Sequence, residues 1–365
     1  MEKYKNKILV ITMTVFLAVV TLACWFLKND GYSETERRYL KAFPEITIEN
    51  IMSGRFMTDF ESYSQDRFPA RDVFRGIKSA VALYVFAERD NNDLYLTDGF
   101  IGKLEYPYNA ASVEHATQVF TSVYNKFIAE TDFNVYYALI PDKSYYLAAE
   151  KGYPSMDYEA MEADMQAGMQ GMTYIDLFDI MEADDFYRTD THWRQEEITD
   201  VADVIATAMG GALDKEYDLC KLDAPFYGVY HGQLMLPVEG ETLYYLNHEL
   251  FDECYVYDYT AMKEISIYDM EKAAGVDPYE MFLSGPLSLI TIENPDADTN
   301  KELVVFRDSF GSSIAPLFVE EYTKITLVDI RYLYSGMIGN YIEFDNQDVL
   351  FLYSTMVLNH SETIK

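Results

Sequence analysis

Asp190, Thr191, His192 and Trp193 bring a carboxylate and an imidazole within two residues of each other, and Ser309 lies far downstream in Val304-Val305-Phe306-Arg307-Asp308-Ser309-Phe310-Gly311. A serine hydroxyl is a poor nucleophile until a base takes its proton. Histidine titrates near neutrality, and a carboxylate orients its ring and stabilises the imidazolium. Asp190, His192 and Ser309 are therefore candidates for an acyl-transfer site. Each motif has a plainer reading. Asp190 fits a helix N-cap with His192 on the first turn, and Ser309 or Ser312 fits an N-cap too. Asp190 and His192 could also ligate a metal with Asp184 or Asp185, but third and fourth ligands of clear spacing are missing.

The flanking patterns indicate what positions these residues. Val113, Ala116, Phe120, Val123 and Phe127 mark a helix, Phe133 to Ile140 an apolar strand stopped by Pro141, and Met161, Met165 and Met169 a helical core stripe. Tyr174 to Leu177 is a short strand, and Ile198 to Ala208 a helix ending at Gly210-Gly211. Residues 215–285 are irregular, with aromatic strands at Leu243 to Leu246 and Tyr255 to Tyr257, and read as an insertion over the sheet edge. Strands then recur at Leu289 to Ile292, Leu303 to Phe306, Ile325 to Val328 and Val349 to Tyr353. Helices are expected at Ser312 to Glu321 and Ser335 to Ile342. Apolar runs alternating with helices indicate an α/β domain on a buried, mostly parallel sheet. Ligands of such sheets collect beyond the strand carboxyl ends, where Ser309 falls just before a helix whose unpaired N–H groups favour an oxyanion.

Ahead of this domain, the uncharged run Ile8 to Leu27 suffices to span a bilayer, and Lys3, Lys5 and Lys7 before it place the N-terminus in the cytoplasm and the rest outside. A signal peptide would usually have a shorter apolar region. Thr21-Leu22-Ala23-Cys24 resembles a lipidation box with Thr and Leu in the wrong order. The expected organisation is a stub and anchor at 1–28, a tether at 29–52, a helical and hairpin lead-in at 53–108 that packs on the main domain, and the α/β domain at 109–365. In the lead-in, Phe56, Phe60 and Tyr63, then Phe74, Ile77, Val81 and Tyr84, mark two helices broken near Pro69, and Asp98-Gly99 marks a hairpin. The net charge of −33 argues against nucleic acid, whose binding needs cationic neutralisation of phosphates. It argues equally against a surface that hugs anionic lipid. Cys220 and Cys254 could pair in an oxidising exterior, though spacing does not show it.

The segment Tyr187-Arg188-Thr189-Asp190-Thr191-His192-Trp193, followed by Arg307-Asp308-Ser309-Phe310, resembles the SGNH-hydrolase-like domain of alginate-type polysaccharide O-acetyltransferases and the DHHW family of anchored bacterial proteins. Glu36-Arg37-Arg38, Phe43-Pro44, Asp66 to Asp72, Ile140-Pro141-Asp142-Lys143, Phe226-Tyr227-Gly228 and Asp329-Ile330-Arg331-Tyr332 agree with that resemblance. It implies a flavodoxin-like three-layer α/β/α fold with permuted motif order, the acid and base preceding the serine. It implies Ser309 as nucleophile, His192 as base and Asp190 as orienting acid. His192 matches the second histidine of the family name, and Thr191 stands where the first would be. The Ser309 N–H, Gly285 and Asn359 are the oxyanion-hole candidates, and Arg331 and Tyr332 are candidates to line the site.

The implied activity is O-acetylation of a cell-surface or exported polysaccharide through an acyl-serine, without a cofactor or metal. The implied partner is a multi-pass membrane O-acyltransferase that exports the acyl group. The same triad would serve an anchored glycan acetylesterase, and the fold would also serve a non-catalytic glycan-binding or assembly module.

Overall fold

The computed structural model describes residues 2–26, 31–131, 134–297, 299–345 and 347–365. Leu27 and Lys28 at the end of the expected anchor, Asn29 and Asp30 of the expected tether, and Phe133 of the expected strand lie outside the described residues. The chain divides into two compact units, one of Met1–Asn91 with His231–Val238, the other of Asn92–Tyr230 with Glu239–Lys365.

The first unit begins with the helix Glu2–Phe26, whose segment Tyr4–Cys24 has mean hydropathy 2.3 and is long and apolar enough to cross a membrane. Short helices follow at Ile48–Met52, Arg55–Asp66 and Arg71–Ala80. Thr47 caps the first by accepting from the Asn50 N–H (3.1 Å). Pro69 separates the last two, because the residue before a proline is pushed out of the helical region. Part of the expected tether is tied down: the Arg38 guanidinium forks onto the buried Asp66 (2.6 and 3.0 Å), which also accepts from the Lys41 N–H. Phe43 packs edge-on against Phe56, Phe60 and Tyr63. The second apolar stripe is not buried as expected, since Phe74, Ile77 and Tyr84 are 49, 52 and 65% exposed.

The Arg38 hydrogen bond holds the Asp66 carboxyl below its ordinary range. A carboxyl lowered in the folded state contributes stability above its unfolded value near 3.9, and that contribution is lost as pH falls through the folded value. Melting the full-length protein between pH 5 and pH 3 should therefore show a steeper loss for wild type than for Asp66→Asn. The two should differ by about 1 kcal/mol at pH 5, in view of the solvent screening of Arg38.

In the second unit, eight strands form one sheet: β1 (Val135–Ile140), β2 (Thr173–Ile175), β3 (Tyr255–Asp258), β4 (Lys263–Ile265), β5 (Leu289–Glu293), β6 (Glu302–Arg307), β7 (Lys324–Val328) and β8 (Gln347–Ser354). Their order is β4-β3-β5-β7-β6-β8-β1-β2. From β7 to β2 all pairings are parallel, whereas β5 pairs antiparallel with β7 and β3, and β3 antiparallel with β4. The parallel expectation fails at β5 because residues 294–301, which lead to β6, are too few for a helical crossover. Tyr244–Asn247 leaves the main sheet and pairs with Asp218–Lys221.

Alternate side chains of β6 enter two cores. Leu303 and Val305 pack with the helix Thr199–Ala208 and with Trp193, Phe310 and Ile314. Val304 and Phe306 pack with the helices Ala110–Phe127 and Tyr158–Gly168, where Met161 and Met165 are core residues. The unit is thus an α/β/α sandwich, and β6 lies in its interior, which explains a strand apolar on both faces. Leu94–Thr97 and Phe100–Lys103 form the expected hairpin about Asp98-Gly99, both at positive φ. Two helices are shorter than expected. Gly311–Ile314 gives way to a 3-10 turn at Ala315–Phe318 containing Pro316, and Ser335–Asn340, with Gly336 and Gly339, is wholly 3-10. Cys220 and Cys254 are free thiols.

Candidate active site

Ser309 emerges at the carboxyl end of β6, on a turn that folds straight back into the short helix Gly311–Ile314. The buried Asp308 holds this turn: one carboxylate oxygen accepts the Phe310 N–H (3.0 Å), the other the Ser354 N–H at the end of β8 (2.8 Å). A side chain at Gly311 would meet the Arg307 Cβ at 2.6 Å, so this return requires glycine. Ser309 caps no helix; its hydroxyl lies 2.8 Å from His192 Nε2. The Asp190 Oδ1 lies 2.6 Å from His192 Nδ1. The three candidate residues therefore form one hydrogen-bonded chain.

The helix-entry reading of Asp190 does not hold, because no helix starts there. Phe186 and Trp193 form an antiparallel bridge, and the 187–192 loop is closed by Tyr187 N–H donating to the His192 carbonyl (3.1 Å). Asp190 is buried, and its second oxygen accepts the Val229 N–H (2.7 Å). Two opposing groups pin the loop backbone. Glu241 accepts from the N–H groups of Arg188 and Thr189 and from the Thr189 hydroxyl (2.5 to 2.8 Å). The Lys143 ammonium donates to the carbonyls of Tyr187, Arg188 and Asp190 (2.9, 3.3 and 2.6 Å). Gly228 passes so close that a Cβ would lie 2.3 Å from the Thr189 carbonyl oxygen. Ser313 then joins the segment after His192 to the helix after Ser309, since its hydroxyl accepts Trp193 Nε1–H and its carbonyl accepts Gln195 Nε2–H, both at 2.7 Å.

Burial pushes Lys143 down to about 7, opposed by the charges of Asp190, Glu241 and Asp142. Asp142 is raised to about 6 by burial, opposed first by the hydrogen bond from Tyr158. Lys143→Met keeps the volume of the stem but leaves three loop carbonyls without their donor. The expected result is a loss of about 3 kcal/mol in unfolding free energy and a roughly 100-fold fall in turnover, because a small misplacement of a catalytic group is costly. Denaturant unfolding and ester hydrolysis by the same preparation check both.

The other site candidates are engaged elsewhere. The Gly285 N–H donates to the Phe282 carbonyl (3.1 Å) and closes a turn. Asn359 is buried, accepting from the Asn109 N–H and donating to the Pro107 carbonyl, so it braces the entry to the helix Ala110–Phe127. Arg331 donates twice to Asp329 (2.9 and 2.6 Å) and lies over the ring of Tyr332, which is exposed. Both follow β7, the parallel neighbour of β6, on the sheet edge from which Ser309 emerges. The Ser309 N–H has no hydrogen-bond partner among the described residues. Asp185, weighed as a metal ligand, caps its own turn by accepting the Glu182 N–H.

Sequence reasoning did not single out Lys143, Gly228, Glu241 or Tyr279 by role. A lysine two residues past the Pro141 that stops a buried strand is a visible signal for the first. Glu241 and Tyr279 sit in the irregular insertion, where no periodicity marks them. That segment does more than cover an edge, since it supplies partners to both Asp190 and His192.

Neither a family model nor a curated protein matches the sequence. Among solved structures the chain is similar to a DHHW family protein from Eubacterium siraeum, with a TM-score of 0.61 at 21% identity over 75% of this chain and 95% of that one. This chain has the DHHW fold. It is also similar to PatB1 of Bacillus cereus, with a TM-score of 0.60 at 18% identity over 75% of this chain and 99% of that one. A PatB1 structure with a sulfonyl adduct gives 0.58 at 19% identity, over 73% and 95%. In this DHHW-fold chain the position of the first histidine is Thr191, whose hydroxyl contacts the Met356 sulfur (3.3 Å) and stands outside the Asp190–His192–Ser309 chain.

Proposed function

We propose that this protein is a membrane-anchored, extracytoplasmic serine acyltransferase that O-acetylates a cell-surface or exported polysaccharide. The observation that carries the reading is the unbroken chain from Asp190 through His192 to Ser309, at 2.6 and 2.8 Å. In the first half-reaction His192 Nε2 takes the Ser309 hydroxyl proton as Oγ bonds to the acetyl carbonyl carbon. The oxyanion so formed is met by the Ser309 N–H. The intermediate collapses, the donor's oxygen leaves with the proton from His192, and acetyl-serine remains. In the second half a sugar hydroxyl gives its proton to His192 and attacks the acetyl carbon. Ser309 leaves and recovers the proton. Water in place of the sugar would make the same site an esterase.

The apolar helix Glu2–Phe26 and the lysines at its start support the anchor, its orientation and an outside catalytic unit. The motif resemblance supports polysaccharide as acceptor and a multi-pass membrane O-acyltransferase as acyl supplier. The test uses the full-length protein in detergent with p-nitrophenyl acetate, with and without an acceptor glycan. Acetyl found on the glycan is the expected result. Release of acetate alone, with the glycan unmodified, would favour the esterase, and no release by folded protein would overturn both.

A further inference from the structure

The ring of Tyr279 lies flat on the ring of His192, with centroids 3.9 Å apart and planes 12° from parallel. Tyr279 is buried and comes from the 3-10 turn Pro278–Met281, within the insertion. Its hydroxyl lies 2.8 Å from the hydroxyl of Ser313, on the helix that follows Ser309. Tyr187 and Phe282 pack edge-on or tilted against Tyr279 and fix its plane. Phe310 approaches the imidazole at 5.0 Å with a tilt of 52°. The histidine is thus held by a carboxylate at one nitrogen and a serine at the other, with a tyrosine across its face.

We infer that Tyr279 is a positioning residue for His192, holding the imidazole in the plane that reaches both Asp190 and Ser309 and presenting a π face to the imidazolium formed during proton transfer. This rests on the acyl-serine reading. A flat aromatic contact excludes water from one face of the base and denies the ring rotation about its side-chain bonds. It also attracts a cation through the ring quadrupole, most strongly where water is excluded. That attraction exists only once His192 has taken the serine proton, so it stabilises the transition state more than the ground state. The packing of Tyr187 and Phe282, and not the hydroxyl contact to Ser313, sets the plane of the ring. Phenylalanine should therefore serve almost as well as tyrosine, and an aliphatic side chain should not.

The test compares full-length wild type, Tyr279→Phe, Tyr279→Leu and Tyr279→Met with p-nitrophenyl acetate, with Ser309→Ala as the reference for serine-dependent release. The expected result for both aliphatic variants is a kcat roughly 10- to 30-fold lower at a KM within about twofold of wild type. Tyr279→Phe should stay within about threefold of wild type. A second readout does not need turnover. In protein with labelled histidine, five residues in all, the His192 Cε1–H resonance, assigned by its absence from His192→Gln, should be shifted upfield in wild type and Tyr279→Phe. It should return toward an ordinary position in Tyr279→Leu. Aliphatic variants with wild-type kcat, a phenylalanine variant as poor as leucine, or an unshifted wild-type resonance would each overturn the inference. Absence of serine-dependent release by wild type would instead overturn the acyl-serine reading and leave the resonance to decide the stacking.

Discussion

Ser309→Ala is expected to reduce serine-dependent ester turnover by on the order of 10⁴-fold or more while leaving the thermal midpoint close to that of wild type. The hydroxyl makes a single hydrogen bond, to His192, and its loss removes no packing group from the sheet. The turn itself is held by Asp308, which alanine at 309 does not touch. Asp190→Asn should cost roughly 10³- to 10⁴-fold, and for a different reason. Asp190 accepts from the N–H groups of His192 and Val229 and from the His192 ring, among other partners. An amide has only one oxygen for them, so either its NH₂ faces a backbone N–H or the ring loses its acceptor and adopts the wrong tautomer. Turnover with thermal melts on the same preparations separates chemistry from folding. A Ser309→Ala protein that still hydrolyses ester at the wild-type rate would sink the triad.

Gly228→Ala, one methyl group with no charge and no catalytic role, should lower turnover less than these but should cost stability as well. The added Cβ would lie 2.3 Å from the Thr189 carbonyl oxygen and 2.4 Å from the Cα and Cβ of Asp190. These neighbours are backbone atoms and the Cβ fixed to them, held in turn by Lys143 and Glu241, and cannot swing aside as a side-chain tip would. Either the 187–192 loop moves or Gly228 does, and Gly228 cannot move without pulling the neighbouring Val229 N–H off Asp190. The expected cost is about 3 kcal/mol in stability and roughly 100-fold or more in turnover. Denaturant unfolding and kcat of the purified variant check this. An alanine variant as stable and as active as wild type would mean that the loop and residue 228 do not pass this closely.

Strand β6 and the serine after it were readable because residues 303–306 are apolar throughout and are bounded by charged residues. Asp190 and His192 were readable as chemical types, and their pairing with Ser309 rested on the motif resemblance, since nothing local separates their loop from a helix entry. The direction of β5 was not readable, because a short apolar run carries no sign of which neighbour it will meet or in which sense. Glu241, Gly228 and Tyr279 were hidden for a further reason. Each acts on a residue far away in sequence, from a segment with neither helical nor alternating periodicity, so their roles exist only in three dimensions. Gly285 and Asn359 show the converse. Residues of the right type for an oxyanion hole were visible, and the structure uses their donors for a turn and a helix entry.

The turn that carries Ser309 is tied by Asp308 to the backbone of Ser354, at the end of the last strand. On the proposed anchored topology, this bears on how such a chain matures. A polypeptide leaving the membrane from its N-terminus presents the acid and base long before the serine, and the serine before the strand that steadies it. The turn at Ser309 is complete only once β8 has come through. A half-emerged chain would therefore lack the steadied turn at Ser309, and a product cut short before β8 is expected to lack the proposed activity even though Asp190, His192 and Ser309 were all present.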